Sequence, residues 1–274
     1  LEIAPQEPEI WANIAKAVTR RRARKQEQWA KEYWQQGKFI EAIARWTDAI
    51  ELCKASGDKE SVDAILLELA SSLYDAKFYD EAIGAYQKIL AVDPKNADCY
   101  FEIARCYQQK KDYPSAVEWA EKGLGLDPDS DWGYNILGSV YHDQKNLDLA
   151  VAQYQKAIEI VPDYADANYN LGLLHALKGD YEKAGACFRR TLEIDNAYSR
   201  ARSRLGSVEC ILEIQGMLQA TPGDNTARLR LAAALFDFAD YDRAIFQLEE
   251  VVKSGKDVAR AREELGRCLF WKEK

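Results

Sequence analysis

Ser139, His142 and Asp143 are the residues whose types and spacing come nearest to a catalytic group in this chain. A serine, a histidine and an acid can supply a nucleophile, its general base and the group that orients the base. No Gly-x-Ser-x-Gly elbow surrounds the serine, however, and the sequence has no glycine-rich phosphate-binding loop. Neither His142 nor His175 lies in a metal-binding motif. The sequence therefore predicts a protein that is not an enzyme, with no metal site and no cofactor.

The six cysteines are widely spaced and form no Cys-x-x-Cys pair, which disfavours both a zinc site and a disulfide framework. We interpret them as buried, reduced thiols, which favours the cytoplasm or another reducing compartment. Because the sequence begins with Leu1 rather than methionine, we also expect a trimmed or processed N-terminus. The cysteines are Cys53, Cys99, Cys106, Cys187, Cys210 and Cys268.

The charge balance is acidic, with 45 Asp and Glu residues against 37 Lys and Arg residues and a net charge of −8. Proteins dedicated to nucleic acids usually show the opposite balance, so a nucleic-acid partner is disfavoured. Hydrophobic residues make up 47% of the chain and charged residues 30%, which is typical of a folded globular protein. No stretch approaches the roughly 18 apolar residues that a membrane-spanning helix needs, so we expect at most peripheral membrane contact.

Three series of residues share a spacing of 34 positions, which indicates an internal repeat. Prolines recur at this interval, as do alanines and a set of small residues twelve positions before them. These series include Pro94, Pro128 and Pro162; Ala82, Ala116, Ala150 and Ala184; and Ala70, Ala104, Gly138 and Gly172.

Each period contains two stripes at helical spacing with a turn between them. In residues 131–164 the first stripe runs through Leu137, Gly138 and Tyr141, and the second through Ala150 and Tyr154. Two antiparallel helices can approach closely where their small residues meet, so a large residue at Gly138 or Ala150 should overpack the contact. The sequence thus predicts an array of antiparallel helix pairs.

This array resembles the tetratricopeptide repeat family. The resemblance is carried by ADCYFEIARCYQQKKDYPSAVEWAEKGLGLDP (97–128), DWGYNILGSVYHDQKNLDLAVAQYQKAIEIVP (131–162) and ADANYNLGLLHALKGDYEKAGACFRRTLEID (165–195). It implies an all-α, right-handed superhelical solenoid of antiparallel helix pairs. About seven pairs occupy 23–258, with boundaries at 23–62, 63–96, 97–130, 131–164, 165–198, 199–224 and 225–258. The first pair carries six extra residues, the 199–224 pair is eight residues short, and a capping helix fills 259–274.

A basic arm precedes the array at residues 1–22. Apolar residues at helical spacing are followed by the run TRRRARK (19–25), which together predict an amphipathic helix over about 9–34. The favoured interpretation is a helix that caps the first repeat; docking on a partner, contact with an anionic membrane surface and RNA binding remain alternatives. The apolar residues are Ile10, Trp11, Ile14, Ala17 and Val18, and the basic ones are Arg20, Arg21, Arg22, Arg24 and Lys25.

In the family, the first helices of the pairs line a concave groove, and the resemblance places one set of side chains there. The early positions are mostly acidic, the middle ones aromatic and amide, and the late ones basic. The early positions are Glu68, Asp75, Asp98, Glu102 and Arg105. The candidate peptide-binding residues are Trp132, Asn135, Ser139, Tyr169, Asn170, Leu173, Arg200, Arg204 and Arg230.

The resemblance implies a non-enzymatic interaction scaffold that binds a protein or peptide partner, in the manner of a co-chaperone or assembly factor. Chaperone adaptors of the family grip a terminal carboxylate with Lys, Asn and Arg, and Asn170, Arg200 and Arg204 match that chemistry. An acidic segment or a C-terminal carboxylate is therefore the expected ligand, unless these arginines are simply solvated. The alternative is a subunit or fragment of a larger membrane-associated complex or enzyme, docked through the basic N-terminal helix.

Overall fold

The computed structural model describes residues 7–273, and for residues 7–11 the backbone only, so the side chains of Ile10 and Trp11 lie outside the described part. Within this range there are fourteen helices and no strand. The helices are α1 (Glu7–Gln35), α2 (Phe39–Ser56), α3 (Lys59–Asp75), α4 (Tyr79–Leu90), α5 (Ala97–Gln109), α6 (Tyr113–Leu126), α7 (Asp131–Asp143), α8 (Leu147–Ile160), α9 (Ala165–Lys178), α10 (Tyr181–Ile194), α11 (Ser199–Ala220), α12 (Asn225–Asp237), α13 (Tyr241–Ser254) and α14 (Val258–Lys272). The predicted all-α fold of helix pairs is confirmed.

The chain divides into two compact units, one up to Pro128 and one from Asp129 onward. Unit 1 contains α1–α6, with an apolar core that includes Trp46 and Tyr86. Unit 2 contains α7–α14, with one apolar cluster around Tyr154 and another around Phe188 and Leu248. In each unit a helix packs mainly on the helices before and after it in sequence, which is the contact pattern of a repeat array.

The small residues lie where the two helices of a pair meet. Ala150 and Ala184 are fully buried, and Gly138 and Gly172 lie against aromatic rings of the following helix. A Cβ added to Gly138 would lie 2.8 Å from Cε1 of Tyr154, so the ring occupies the space that a side chain would need.

The turn inside each pair uses a left-handed residue at a fixed point of the repeat. Lys77, Lys111, Lys145 and Gly179 follow one another at intervals of 34 positions, and all have φ between 61° and 76°. The second helix then begins after a capping residue; Asp180, for example, accepts a hydrogen bond from the backbone N–H of Lys183.

The 199–224 segment differs from its prediction as a short helix pair, because α11 is one unbroken helix of 22 residues. The segment SVECILEIQ (207–215) contains no Gly, Pro, Asn or Asp that would form a turn, and Ile211 and Ile214 are fully buried. The eight missing residues therefore remove the turn and one helix.

The loss of that helix brings two turns of unit 2 together. Arg243 Nη2 donates to the carbonyl oxygen of Lys178 at 3.0 Å, and the Tyr181 hydroxyl donates to Asp240 Oδ2 at 3.0 Å. The Tyr181 and Phe238 rings lie 6.1 Å apart, edge to face. The α9–α10 turn thus contacts the α12–α13 turn, across α11.

The six extra residues of the first pair extend the two helices that flank them, α2 and α3, and support the arm. Helix α2 has 18 residues and α3 has 17, against 12 and 13 in α4 and α5, and α1 runs without a break through the arm and the first helix of the first pair. Asp58 caps α3 through the Ser61 N–H and pairs with Arg20 Nε at 2.9 Å. The insertion and the arm, which the sequence showed as separate features, form one structure.

Candidate peptide-binding groove

The first helices of successive pairs in unit 2 contact one another through the predicted groove positions. Asn170 Nδ2 on α9 donates to Asn135 Oδ1 on α7 at 3.2 Å. The Tyr169 ring lies 5.1 Å from the Tyr198 ring, which directly precedes α11. We call this shared surface of α7, α9 and α11 the groove face.

The predicted aromatic and apolar positions differ in how much they offer to a ligand. Trp132 and Ser139 are half-buried on α7, where Ser139 hydrogen-bonds with the buried hydroxyl of Tyr154. Leu173 is half-buried against the core of unit 2. Tyr169, predicted as an aromatic anchor, is only 7% exposed, because its ring packs on Phe188 as well as Tyr198. Of the two expected anchors, Trp132 is the more accessible.

The three candidate arginines have different surroundings. Arg200 is exposed, and its guanidinium lies 5.6 Å from the Tyr169 ring and 5.4 Å from the Tyr198 ring. Arg204 is half-buried, donates to the carbonyl oxygen of Asp237 at 2.8 Å and lies 5.0 Å from the Phe238 ring. Arg230 is exposed on α12. Arg200 lies beside the groove tyrosines, whereas Arg204 contacts the α12–α13 turn.

The sequence-based prediction of the groove missed two residues, Tyr198 and Asp166. The Tyr198 hydroxyl donates to Asp166 Oδ1 at 2.7 Å and so joins the start of α11 to the start of α9. Burial and the Asp166 carboxylate both raise the pKa of Tyr198, which keeps the phenol protonated as a donor. A signal was present, since Tyr164 occupies the same position one period earlier.

The early groove positions, in unit 1, are less negative than predicted. Lys31 pairs with Glu68 at 3.1 Å, and Arg105 pairs with Glu102 at 2.9 Å. Burial raises the pKa of Glu102, and the opposing effect of Arg105 does not cancel it. Asp75 and Asp98 are exposed. Two of the four acids therefore already have cationic partners.

Sequence profiles of known protein families identify the family to which this array belongs. Tetratricopeptide repeat profiles match residues 67–131 and 218–272, residues 138–179 and residues 165–198. The chain belongs to the tetratricopeptide repeat family. Members of the family are in general non-enzymatic scaffolds for protein interaction.

The chain is also similar to several solved repeat proteins. MamA from Desulfovibrio magneticus RS-1 is 18% identical, with a TM-score of 0.49, over 65% of this chain and 97% of that one. A thermophilic TPR protein of Thermus thermophilus is 20% identical, with a TM-score of 0.46, over 76% and 99%. The first TPR of Spaghetti (RPAP3), bound to the HSP90 peptide SRMEEVD, is 21% identical, with a TM-score of 0.41, over 43% and 93%. No curated protein matches the sequence.

The basic arm of this tetratricopeptide repeat protein presents its cations on more than one side. Ala23 and Ala30 are buried in the core of unit 1, and Arg20 forms an ion pair with Asp58. Lys25 Nζ lies 4.7 Å from the Trp29 ring centroid. The remaining arm arginines, all exposed, are Arg21, Arg22 and Arg24.

The cysteines and histidines of the repeats lie within the packing of the helices. Burial raises the pKa of Cys99 and of Cys106 to about 12, so these thiols remain protonated at neutral pH. Burial lowers the pKa of His142 and His175. Among the described residues, no three His, Cys, Asp or Glu side chains are placed to share a metal ion. Within residues 7–273, no helix combines the length and apolar character that a membrane crossing requires.

Proposed function

We propose that the groove face of unit 2 binds an acidic peptide segment, or a C-terminal carboxylate, of a protein partner, and that the chain acts as an adaptor of the co-chaperone or assembly-factor kind. The observation that carries the proposal is the position of Arg200. Its guanidinium is exposed yet lies against Tyr169 and Tyr198, and Tyr169 directly precedes Asn170 on α9.

The chemistry of this position suits a carboxylate. An arginine can donate two parallel hydrogen bonds to one carboxylate, and stacking on rings limits the side-chain entropy that binding costs. Asn170 donates to Asn135 through one amide hydrogen, and a primary amide carries two, so a second donor remains for a ligand. Trp132 and Leu173 add half-buried apolar surface that a neighbouring ligand side chain can cover.

Charge reversal at Arg200 tests the proposal. A fluorescein-labelled acidic heptapeptide with a free C-terminus is titrated with the full chain, and its C-terminally amidated form is titrated in parallel. We expect Arg200→Glu to weaken binding by about tenfold or more, because a charge-assisted hydrogen bond contributes roughly 1.5–3 kcal/mol.

Arg202→Glu is the matched control for this experiment. Arg202 lies two residues along the same helix, points away from Arg200 and is also exposed, with a hydrogen bond to Asn196. Equal loss in both variants would show that only net charge matters and would contradict a site at Arg200. Unchanged affinity of the amidated peptide would assign recognition to acidic side chains rather than to the terminal carboxylate.

A second candidate function, docking onto a larger membrane-associated complex, is favoured by the outward side of α1. Opposite the buried Ala23, this side carries Ile14 and Val18, which are 46% and 52% exposed, followed by Arg21 and Lys25. Apolar and basic side chains on one helix face are typical of helices that lie on anionic surfaces.

Vesicle co-sedimentation tests the arm separately from the groove. Vesicles of phosphatidylcholine with one-third phosphatidylglycerol should sediment the chain, and Val18→Glu with Arg21→Glu should abolish this. Arg200→Glu serves as the control, since it reverses the charge of an exposed arginine outside the arm. Sedimentation that persists in the arm variant would eliminate this candidate.

A further inference from the structure

One position of the repeat carries three different side chains along the groove face of unit 2. Trp132, Asp166 and Arg200 follow one another at intervals of 34 residues, and each is the second residue of its helix, α7, α9 or α11. Because equal positions of stacked repeats face the same way, these side chains form a row across three helices. We call Trp132, Asp166 and Arg200 the groove row; it is aromatic on α7, acidic on α9 and basic on α11.

Contacts between the helices fix the groove row in place. The amides of Asn135 and Asn170 hydrogen-bond at 3.2 Å and so join α7 to α9. The Tyr198 hydroxyl donates to Asp166 Oδ1 at 2.7 Å, and Arg200 Nη2 lies 3.5 Å from the same hydroxyl. The Tyr198 hydroxyl therefore lies between the acid and the arginine and keeps the two charges apart.

Both charges of the groove row are available to a ligand. Asp166 and Arg200 are exposed, and the ion pairs among the described residues of unit 2 join other side chains, such as Asp163 and Arg190. Tyr198 is a neutral partner, because burial and the Asp166 carboxylate raise its pKa and keep the phenol protonated. A ligand that carries two opposite charges in the matching order can therefore pair with both residues.

The spacing of the helices determines how far apart those ligand charges lie. Packed helices have axes about 8–10 Å apart, and an extended peptide advances about 3.3 Å per residue. The ligand side chains that meet neighbouring helices are therefore about three residues apart, and a segment of about seven residues crosses all three helices.

We propose that the groove row binds an extended segment of a partner protein in which an apolar, a basic and an acidic residue follow one another about three residues apart. The apolar side chain packs on Trp132, the basic one pairs with Asp166 and the acidic one pairs with Arg200. This inference rests on the proposed function, because Arg200 receives the acidic group in both, and it adds the basic residue. A purely acidic segment binds less tightly, because it places a second negative charge beside Asp166.

Peptides with exchanged charges test the order of the ligand residues. Fluorescein-labelled Leu-Gly-Ser-Lys-Gly-Ser-Glu and its charge-exchanged form, Leu-Gly-Ser-Glu-Gly-Ser-Lys, are titrated with the full chain by anisotropy. Both are amidated at the C-terminus, and each is also made in reversed order, since a peptide can cross the helices in either direction. In one direction the first peptide should bind about tenfold or more tightly than its exchanged form, because the exchange turns two attractions into two repulsions.

Asp166→Asn tests the acidic position without loss of the hydrogen bond, because asparagine keeps an oxygen that can accept from Tyr198. It should weaken binding of the first peptide about threefold, as expected for one exposed ion pair, and should strengthen binding of the acidic heptapeptide. Asp163→Asn is the matched control, since it removes the same charge at an exposed residue that pairs with Arg190. This control should leave both affinities unchanged.

Reversal of both charges in the protein should reverse its preference. Asp166→Lys combined with Arg200→Glu should bind the exchanged peptide more tightly than the first one. Equal binding of the two peptides in both directions, or equal effects of Asp166→Asn and Asp163→Asn, would overturn the inference. The proposed function would survive that result if the acidic heptapeptide still binds in a manner that depends on Arg200. Absence of binding by the acidic heptapeptide and by all four peptides would contradict both.

Discussion

Small residues decide how closely the two helices of a pair approach in this chain. Gly172 and Gly138 each lie under an aromatic ring of the following helix, with no room for a Cβ. Gly206 belongs to the same series, but the helix that would cover it is missing, and nothing lies within 4 Å of its Cβ position. The same residue type at the same repeat position therefore has different constraints.

Leucine substitution should have different effects on stability at Gly172 and at Gly206. Gly172→Leu should lower the free energy of unfolding by about 1–3 kcal/mol, because the side chain would overlap Phe188. Gly206→Leu should be neutral or stabilising by up to about 1 kcal/mol, because leucine favours an exposed helix. Urea unfolding followed by circular dichroism measures both, and a similar loss at the two sites would contradict the packing argument.

The sequence could indicate which polar residues are neighbours because the period fixes which positions share a helix face. Asn135 and Asn170 lie one period apart, offset by one residue, and their amides do hydrogen-bond. Periodicity does not report side-chain direction or depth, so it missed that Tyr169 is buried. It also could not show that Arg204 donates a hydrogen bond to the carbonyl oxygen of Asp237. That carbonyl belongs to the α12–α13 turn, which lies close because one helix of the preceding pair is missing.

At the scale of elements, the turns within pairs constrain the backbone more than their residue types suggest. Four successive within-pair turns contain a left-handed residue at a spacing of 34 positions: Lys77, Lys111, Lys145 and Gly179. The α12–α13 turn uses Ala239, with φ of 59°. Glycine occupies this position at Gly179, where the Arg243 guanidinium fills the space that a Cβ would take. The left-handed position is thus set by the turn, since lysine and alanine adopt it as well as glycine.

Alanine-to-glycine changes test the turn geometry with a matched pair. Ala239→Gly should raise the free energy of unfolding by about 1 kcal/mol, because it relieves the left-handed strain of a residue with a Cβ. Ala233→Gly, at an exposed position inside α12, should lower it by about 1 kcal/mol through lost helix propensity. In both thermal and urea unfolding, Ala239→Gly should therefore increase stability and Ala233→Gly should decrease it. A loss of stability in both variants would show that the turn is not strained.

Element boundaries were predictable wherever a turn signal stood beside the apolar stripe. The predicted repeats beginning at 97, 131, 165, 199 and 225 coincide with the first residues of helices α5, α7, α9, α11 and α12. The prediction differed at 199–224, where the length of a repeat suggested a second helix but the residues contain no turn. The short length of this repeat indicated a deletion. Only the lack of turn-forming residues could show that the remaining residues continue one helix.

At the scale of the molecule, a repeat array couples each helix mainly to its sequence neighbours. The α9–α10 and α12–α13 turns of unit 2 are an exception, because removal of one helix brings them into contact. Arg243 joins them through the Lys178 carbonyl, and the Tyr181 hydroxyl bonds to Asp240. This contact joins two helix pairs that α11 separates in sequence, whereas the Lys178–Asp148 ion pair joins the turns of two successive pairs.

Arg243→Ala should release this coupling and expose both turns. Hydrogen exchange should accelerate in residues 178–181 and 237–243 together, because each turn loses the contact that covers it. Helices α5 and α6, in the other unit, should keep their exchange rates. Arg189→Ala is the control, since Arg189 forms only an exposed ion pair with Glu209 at 3.5 Å and such pairs contribute little. Faster exchange confined to 237–243 would show that the two turns fluctuate independently, and the contact across α11 would then have no role in holding the pairs together.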